Sequence, residues 1–436
     1  MQHFKSYSLF CFFLLYFIFP FTKVKAQNVT SPYSILGIGD INTQDYGRYS
    51  GEGGTSISRR DPYSYNLSNP ASLSSLPYKT MNFDVAMSGR ITSFKMPGVD
   101  TSTGISKDYV IKRIALAFKV SNNTGIAFGL TPYSSSSYQF ASSQAILTGN
   151  TILTRSTDGS GGINQVYFSI GKNLIDERKP NSVKNLSVGI KLSYLFGSLE
   201  ELTQYTVSDL PINISIQNIA SYYGGSLQGG VQYSFLSHNK KWQHQFGLIV
   251  TANTSLKGQL ITNYIDSTNL SITPIPQGVL NDQSFKMPFN LGFGYSSTHN
   301  NALTYSFDIN YYDWPKQSVN YINSYTTPAL RASVGVEYSK KVRYFNNNSF
   351  EKYFIGAGAS IESSYLLING NYLKNYAVSI GGGYNLSGSL SFYGGLEEGV
   401  RGDVNKQQIQ ETYTNIVFGV TLKNLWYGSK KFGRFQ

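Results

Sequence analysis

An alternation of apolar and polar side chains with period two recurs from about residue 81 to residue 424, and it leaves few folds open. In NALTYSFDINYYDWP, residues 301–315, Leu303, Tyr305, Phe307, Ile309 and Tyr311 share one face of an extended strand, while Thr304, Ser306, Asp308, Asn310 and Tyr312 share the other. Ile114, Leu116, Phe118 and Val120 alternate in the same way with Arg113, Ala115, Ala117 and Lys119. The pattern returns at Leu186 to Tyr194 and at Leu330 to Tyr338, and again from Ile416 to Leu422, with Val417, Gly419, Thr421 and Lys423 on the opposite face. Turn-rich breaks such as SNNTG at 121–125, SSTHNN at 296–301 and NLSGS at 385–389 separate the runs. Such runs predict roughly 14 to 16 strands, with no amphipathic helix between them.

Half-buried strands of a soluble sandwich or solenoid alternate too. Here, however, the second face carries glycines and small residues where an exterior in bulk water would carry charges, and the runs are long. Aromatic residues also gather near strand ends, as at Tyr311, Tyr312 and Trp314 or Trp426 and Tyr427, which suits interfacial girdles. Charged residues make up only 14% of the chain and aromatics 15%, against about 25% charged in ordinary soluble domains. The expectation is an all-β fold: a transmembrane antiparallel β-barrel of about 14 strands over residues 81–427, apolar face to lipid and polar face to the interior. Backbone groups in lipid must all be paired, which a closed barrel achieves.

The amino terminus reads as an export address. Lys5 precedes the apolar run LFCFFLLYFIFPF, and TKVKA follows, so cleavage is expected after Ala26. The run is too short to span a bilayer as an anchor. The sole cysteine, Cys11, falls within this segment, leaving a mature chain without thiol chemistry or disulfides. Removing Lys5, Lys23 and Lys25 takes Lys+Arg from 36 to 33 against 24 acids, a net charge of +9. That charge is diffuse and forms no nucleic-acid stripe, so no nucleic acid is expected as a partner. Residues 428–436 form a short basic tail.

Residues 27–80 lack sustained alternation and are rich in Gly, Ser, Pro and Asn, yet they are punctuated by Ile35, Leu36, Ile38, Ile57, Leu67, Leu73 and Leu76. That combination suits a compact plug inside a lumen. The stretch GEGGTSIS…NLSNPASLSSLP resembles the N-terminal hatch of the long-chain fatty-acid and hydrophobic-compound transporter family (FadL/TodX type). The carrying residues are Gly53 and Gly54, followed by an Asn-Pro-Ala turn at Asn69, Pro70 and Ala71. MPFNLGFGYSSTHNNALTYSFDINYYDWP at 287–315 is similar to a hairpin of that family, and NIVFGVTLKNLWYGSKKFGRF resembles the last strand of a FadL-like branch with a basic tail. The resemblance implies a barrel of 14 strands in the Gram-negative outer membrane, a lumen closed by the hatch, and hydrophobic small molecules captured at external loops and released sideways into outer-membrane lipid. The leader SPYSILGIGDI at 31–41 has no counterpart in that hatch.

Other motifs carry less. His238 and His244 flank a hairpin turn and His299 sits in another, and they read as surface residues with no metal set around them. RGD at 401–403 reads as turn chemistry. Glu200 with Glu201, and Glu397 with Glu398, point to opposite faces of their strands and form no acid/base dyad. The glycines at 381–383 lack the lysine of a phosphate loop and read as a strand bend or as room for the plug. No catalytic residue, metal or cofactor is expected; an outer-membrane hydrolase would need a clustered constellation on one rim. Two readings follow, passive uptake of hydrophobic compounds such as fatty acids, or a non-transporting barrel that scaffolds a secretion or barrel-assembly complex with other outer-membrane proteins. The lumen discriminates them, because a transporter needs a continuous apolar pocket.

Overall fold

A computed structural model describes residues 31–98, 104–145, 151–175, 184–208, 213–266, 272–273, 283–319, 324–343, 349–387 and 389–425. The expected signal segment, Cys11, Trp426 with Tyr427, the basic tail and most of the connection at 266–283 lie outside them. Fourteen strands wind up and down in chain order: β1 Thr80–Lys95, β2 Gly104–Lys119, β3 Thr124–Ser135, β4 Ile152–Ile175, β5 Lys184–Val207, β6 Asn213–Leu236 and β7 Trp242–Thr251. They continue as β8 Phe289–His299, β9 Leu303–Asp313, β10 Ala329–Arg343, β11 Ser349–Ile368, β12 Asn371–Ser387, β13 Leu390–Arg401 and β14 Gln410–Leu425. Each pairs antiparallel with the next, and β14 returns to β1 from Thr80↔Leu425 to Lys95↔Gln410, so the sheet closes.

Side chains obey the alternation. On β9, Tyr305, Phe307 and Tyr311 are exposed, while Thr304, Ser306, Asp308 and Asn310 are buried. On β2, Arg113, Ala115, Ala117 and Lys119 are all buried. The apolar belt therefore faces out and the polar face lines the lumen, as expected for a barrel in lipid.

One end of the barrel has tight connections, such as residues 237–241 and 300–302, the latter with Asn300 and Asn301 at positive φ. At the other end β4, β5 and β6, each 24 residues, rise well beyond the roughly 9–11 residues a tilted strand needs to cross the bilayer. Short turns mark the periplasmic end and long excursions the extracellular one. An aromatic girdle sits at the periplasmic end, where the His299 ring lies 4.5 Å from Trp242 and Phe235 lies 5.1 Å from His244.

The girdle reading of Tyr312 and Trp314 is corrected. Trp314 is 4% exposed, with its ring 4.8 Å from Tyr365 and 6.1 Å from Phe285, and it packs with buried Leu36 and Ile38 inside the barrel. The alternation that turns Asp308 and Asn310 inward continues through residues 312 and 314.

Candidate functional site

The polar lumen is occupied by the N-terminal segment, residues 31–79, which enters β1 at Thr80. It holds only short 3-10 turns and one two-residue strand, Asp40–Ile41. Each turn has a local cause. Ser31 caps Pro32–Ile35 by accepting from Tyr33 N, and Asn69 caps Pro70–Ser75 by accepting from Ala71 N at 3.1 Å. The turn Arg48–Glu52 ends at Gly53, whose φ of +67° is left-handed.

The family-like residues fall at two separated places. Gly53 N donates to Ser379 Oγ at 2.8 Å and its carbonyl accepts from Arg331 Nη2 at 2.8 Å, while a Cβ there would lie 2.7 Å from the Ala359 carbonyl. Gly54, also left-handed at +75°, donates to Tyr49 O at 3.1 Å. Asn69 Nδ2 reaches Ile57 O at 2.9 Å and Val231 O at 3.2 Å, and Ala71 is fully buried behind it. Arg48–Glu52 packs on β10 to β13, whereas Pro70–Ser75 packs on β2 to β6. The segment thus spans the lumen from wall to wall.

Sequence reading missed what makes that span fit. A belt of inward glycines, paired across neighbouring strands, lies under the segment: Gly125↔Gly171, Gly171↔Gly189 and Gly189↔Gly230 on β3 to β6, with Gly335↔Gly358 and Gly381↔Gly395 opposite. A Cβ on Gly189 would run into Pro70, one on Gly230 into Asn69, and one on Gly381 into Gly51. Missing side chains let backbone meet backbone. Of these, only the glycines at 381–383 read from sequence as making room, and Gly381 does so against Gly51. A glycine repeated on the polar face of successive strands was the available signal.

Charge locks the segment toward the periplasmic side. Arg48 donates to Glu337 at 3.0 Å and to both oxygens of Glu351 at 2.5 and 2.7 Å, lies 2.8 Å from Asp61, and stands 3.8 Å from the Phe354 ring centre. Arg59 donates to Glu337 at 2.7 Å and lies 3.8 Å from Glu52. Two guanidiniums face four carboxyls, and burial, reinforced at Glu52 by Glu337, pushes the segment's own Glu52 and Asp61 above the usual carboxyl range. Further round, Arg113 lies 2.8 Å from Asp45 and 3.3 Å from Asp84, and Asp308 accepts from Ser56 N and Ile57 N at 2.6 and 2.9 Å.

Toward the extracellular side the lumen turns apolar, and the leader fills it. Leu36 and Ile38 pack among Ile163, Leu195, Leu256, Phe285, Trp314 and Leu366, and Tyr365 Oη donates to Gly39 O at 2.7 Å. The cavities left on either side of residues 41–44 measure about 110 and 200 Å³ and include Arg90, Lys112, Glu362 and Arg401 in their walls. Larger spaces lie toward the two ends: an apolar crevice of about 520 Å³ at Tyr33, Leu36, Phe140 and Ile409, and a basic vestibule of about 670 Å³ with Arg60, Lys240, Lys241 and Lys341.

The remaining motifs resolve structurally. Arg401 of the RGD turn pairs with Asp40 at 2.7 Å, and Asp403 caps the turn Val404–Lys406. His244 hydrogen-bonds the Tyr295 and Ser297 hydroxyls at 2.9 and 3.2 Å within the girdle. Among the described residues no group of three or more His, Cys, Asp or Glu side chains is placed to hold a metal ion.

The closed fourteen-strand wall and its lipid-facing belt define an outer-membrane β-barrel of FadL type. Solved structures with this fold include a FadL homologue of Pseudomonas aeruginosa (11% identity, TM-score 0.56, covering 89% of this chain and 100% of that one) and the toluene transporter TbuX of Ralstonia pickettii (14%, 0.55, 87% and 98%). The toluene transporter TodX of Pseudomonas putida is similar at 15% identity, TM-score 0.52, covering 89% and 100%. Such identities establish the fold alone. A family profile matches residues 9–433, and by it the chain belongs to the BamG family. No curated protein sequence matches.

Proposed function

We propose that this chain is a sealed outer-membrane barrel that serves as a membrane-embedded subunit of an assembly of outer-membrane proteins, with residues 27–80 as a permanent hatch. One observation carries the reading: Leu36 and Ile38 of the leader occupy the apolar part of the lumen, where a hydrophobic cargo would have to sit. Pockets for small molecules measure about 300–1,000 Å³, and the cavities of about 110 and 200 Å³ beside the leader fall short. An alkyl chain placed there would also strip water from the charged side chains of the walls and give them no hydrogen bond in return. Export by the N-terminal address and insertion into Gram-negative outer-membrane lipid belong to the same reading.

Uptake of hydrophobic compounds is the second reading, favoured by the apolar crevice at Tyr33, Phe140 and Ile409. Native mass spectrometry of mildly extracted protein, with lipid analysis of the same sample and a proteoliposome uptake assay, separates the two. The subunit reading expects stoichiometric protein partners and no uptake above empty liposomes. Sustained uptake of a fatty acid or aromatic hydrocarbon by the wild-type barrel, with no protein partner, would overturn it.

A further inference from the structure

The vestibule at the periplasmic end holds cations that the ion-pair lock does not use. Its lining carries six Lys and Arg against three acids, a net charge of +3. Arg48 holds all three acids, Asp61 at 2.8 Å, Glu337 at 2.9 Å and Glu351 at 2.5 Å. Lys240 and Lys241 in the β6–β7 turn and Lys341 on β10 are left over. Among the described residues none of these three lysines is ion-paired, and Lys341 Nζ reaches only a neutral group, Asn301 Oδ1 at 3.4 Å. Lys240 also stands at φ +54°, in the left-handed region that suits Gly or Asn. The adjoining turn, tied to it by Asn300 N donating to Lys241 O at 2.7 Å, fills the same region with Asn300 and Asn301. The turn itself does not need a lysine there, since its bonds run from Lys240 N to Ser237 O at 2.8 Å and from Lys241 N to Asn239 Oδ1 at 3.0 Å, through backbone donors. Strain of this kind persists where it serves a function.

We propose that this vestibule docks an acidic, extended peptide segment of a periplasmic partner, with carboxylates of the segment on Lys240, Lys241 and Lys341. Three like charges turned into one cleft repel one another until an anion enters, and a cleft lined by one sign of charge draws the opposite sign in. The space of about 670 Å³ has the size of a binding pocket, and its polar wall, with Gln243, Thr298 and Asn300, suits peptide backbone better than an alkyl chain. Phospholipid head groups meet other lysines: Lys172 and Lys340 are exposed on the outward face and take no part in the lining. The buried carboxyls of Glu337 and Glu351 repel an acidic segment that goes deeper, so it stops at the three lysines. That the segment belongs to a protein partner deepens the subunit reading above and rests on it.

The test uses the full chain in nanodiscs of zwitterionic lipid and a fluorescent peptide of about six glutamates, which spans about 20 Å when extended. A peptide of glutamines is the matched control, and anisotropy is the readout. The glutamate peptide is expected to bind, the glutamine peptide not, and added salt to weaken binding. Combining Lys240→Asn, Lys241→Gln and Lys341→Gln should weaken it about tenfold. The charge-matched set Lys172→Gln, Lys340→Gln and Lys352→Gln, exposed and outside the vestibule, should change it by no more than about twofold. Equal loss in both sets would reduce the effect to net charge and overturn the proposal, as would no binding by the wild-type chain. Full displacement by inorganic phosphate at the same carboxylate-equivalent concentration would assign the site to a simple anion and overturn it too. Lys240→Asn alone should leave amide exchange of β6 and β7 as slow as before or slower, because Asn suits the left-handed position; faster exchange would give Lys240 a purely structural role and count against the proposal. Uptake of hydrocarbon would sink the subunit reading and leave the peptide titration standing, so the two failures are distinguishable.

Discussion

Replacing Arg48 with Met tests whether the ion-pair lock holds the N-terminal segment in place. The substitution keeps an unbranched apolar side chain but removes the guanidinium that lies over Phe354, and it leaves Glu337, Glu351 and Asp61 facing one another without their shared cation, all in a site where Arg48 is only 4% exposed. Removing one partner of a buried pair costs about 3–5 kcal/mol, which shifts the docking equilibrium by roughly two to four powers of ten. The barrel itself depends on backbone ladders that Arg48 does not join, so the loss should fall on the segment alone. Amide exchange of residues 45–75 in detergent should rise sharply while the β4 and β5 amides stay protected, and planar bilayers should show conductance absent from wild type. Adding Glu337→Gln and Glu351→Gln to Arg48→Met should recover part of the protection, because the uncompensated charge is then gone. Unchanged exchange of the segment in the single variant, or simultaneous loss of the barrel, would refute the reasoning.

The glycine belt gives a paired test on adjacent residues: Gly230→Val meets Asn69 and should weaken docking by about 1–3 kcal/mol, whereas Gly229→Val, with open space around it, should stay within about 0.5 kcal/mol by the same exchange measurement. Asn69→Ala removes the cap on Pro70–Ser75 and the bonds to Ile57 and Val231, and a loss of about 1–2 kcal/mol in docking is expected from urea-dependent proteolysis of the segment. Burial, then Glu337, raises the Glu52 carboxyl above its ordinary 4.5, so the docked segment binds a proton that the undocked one releases. Its contribution is complete below pH 4.5 and is lost as pH climbs through the raised value. Docking should therefore weaken toward alkaline pH, and Glu52→Gln should flatten that slope in a pH series of segment proteolysis.

The wall was legible in the sequence because lipid imposes one rule on every strand. Leu303 to Tyr311 and Ile416 to Leu422 had to alternate, and the structure places them accordingly. Trp314 was misjudged because an aromatic near a strand end looks the same from sequence whether it faces the interface or the lumen. Only its parity with Asp308 and Asn310 told them apart. The ion pairs were hidden for a different reason. Arg48 meets Glu351 across 303 positions of chain, and no spacing rule links residues that the barrel brings together only by closing.

Closing a barrel and closing its lumen are separate problems, and this chain solves them with different chemistry. Strand ladders close the wall and need no particular side chains inside. The lumen is closed by groups that gain nothing unless all are present: a cation for the Glu337 and Glu351 pair, two segment amides for Asp308, absent Cβ atoms under Pro70 and Asn69, and apolar side chains for the space around Trp314. A gate that opened for each cargo molecule would have to break those buried ion pairs every time. The leader sharpens the point. It fills the apolar chamber with Leu36 and Ile38 and, directly after Gly39, pairs residues 40–42 with the edge of β3. A segment that both fills the apolar part of the lumen and pairs with the wall at Ser134 and Ser135 is fixed to the barrel by packing and by backbone bonds at once.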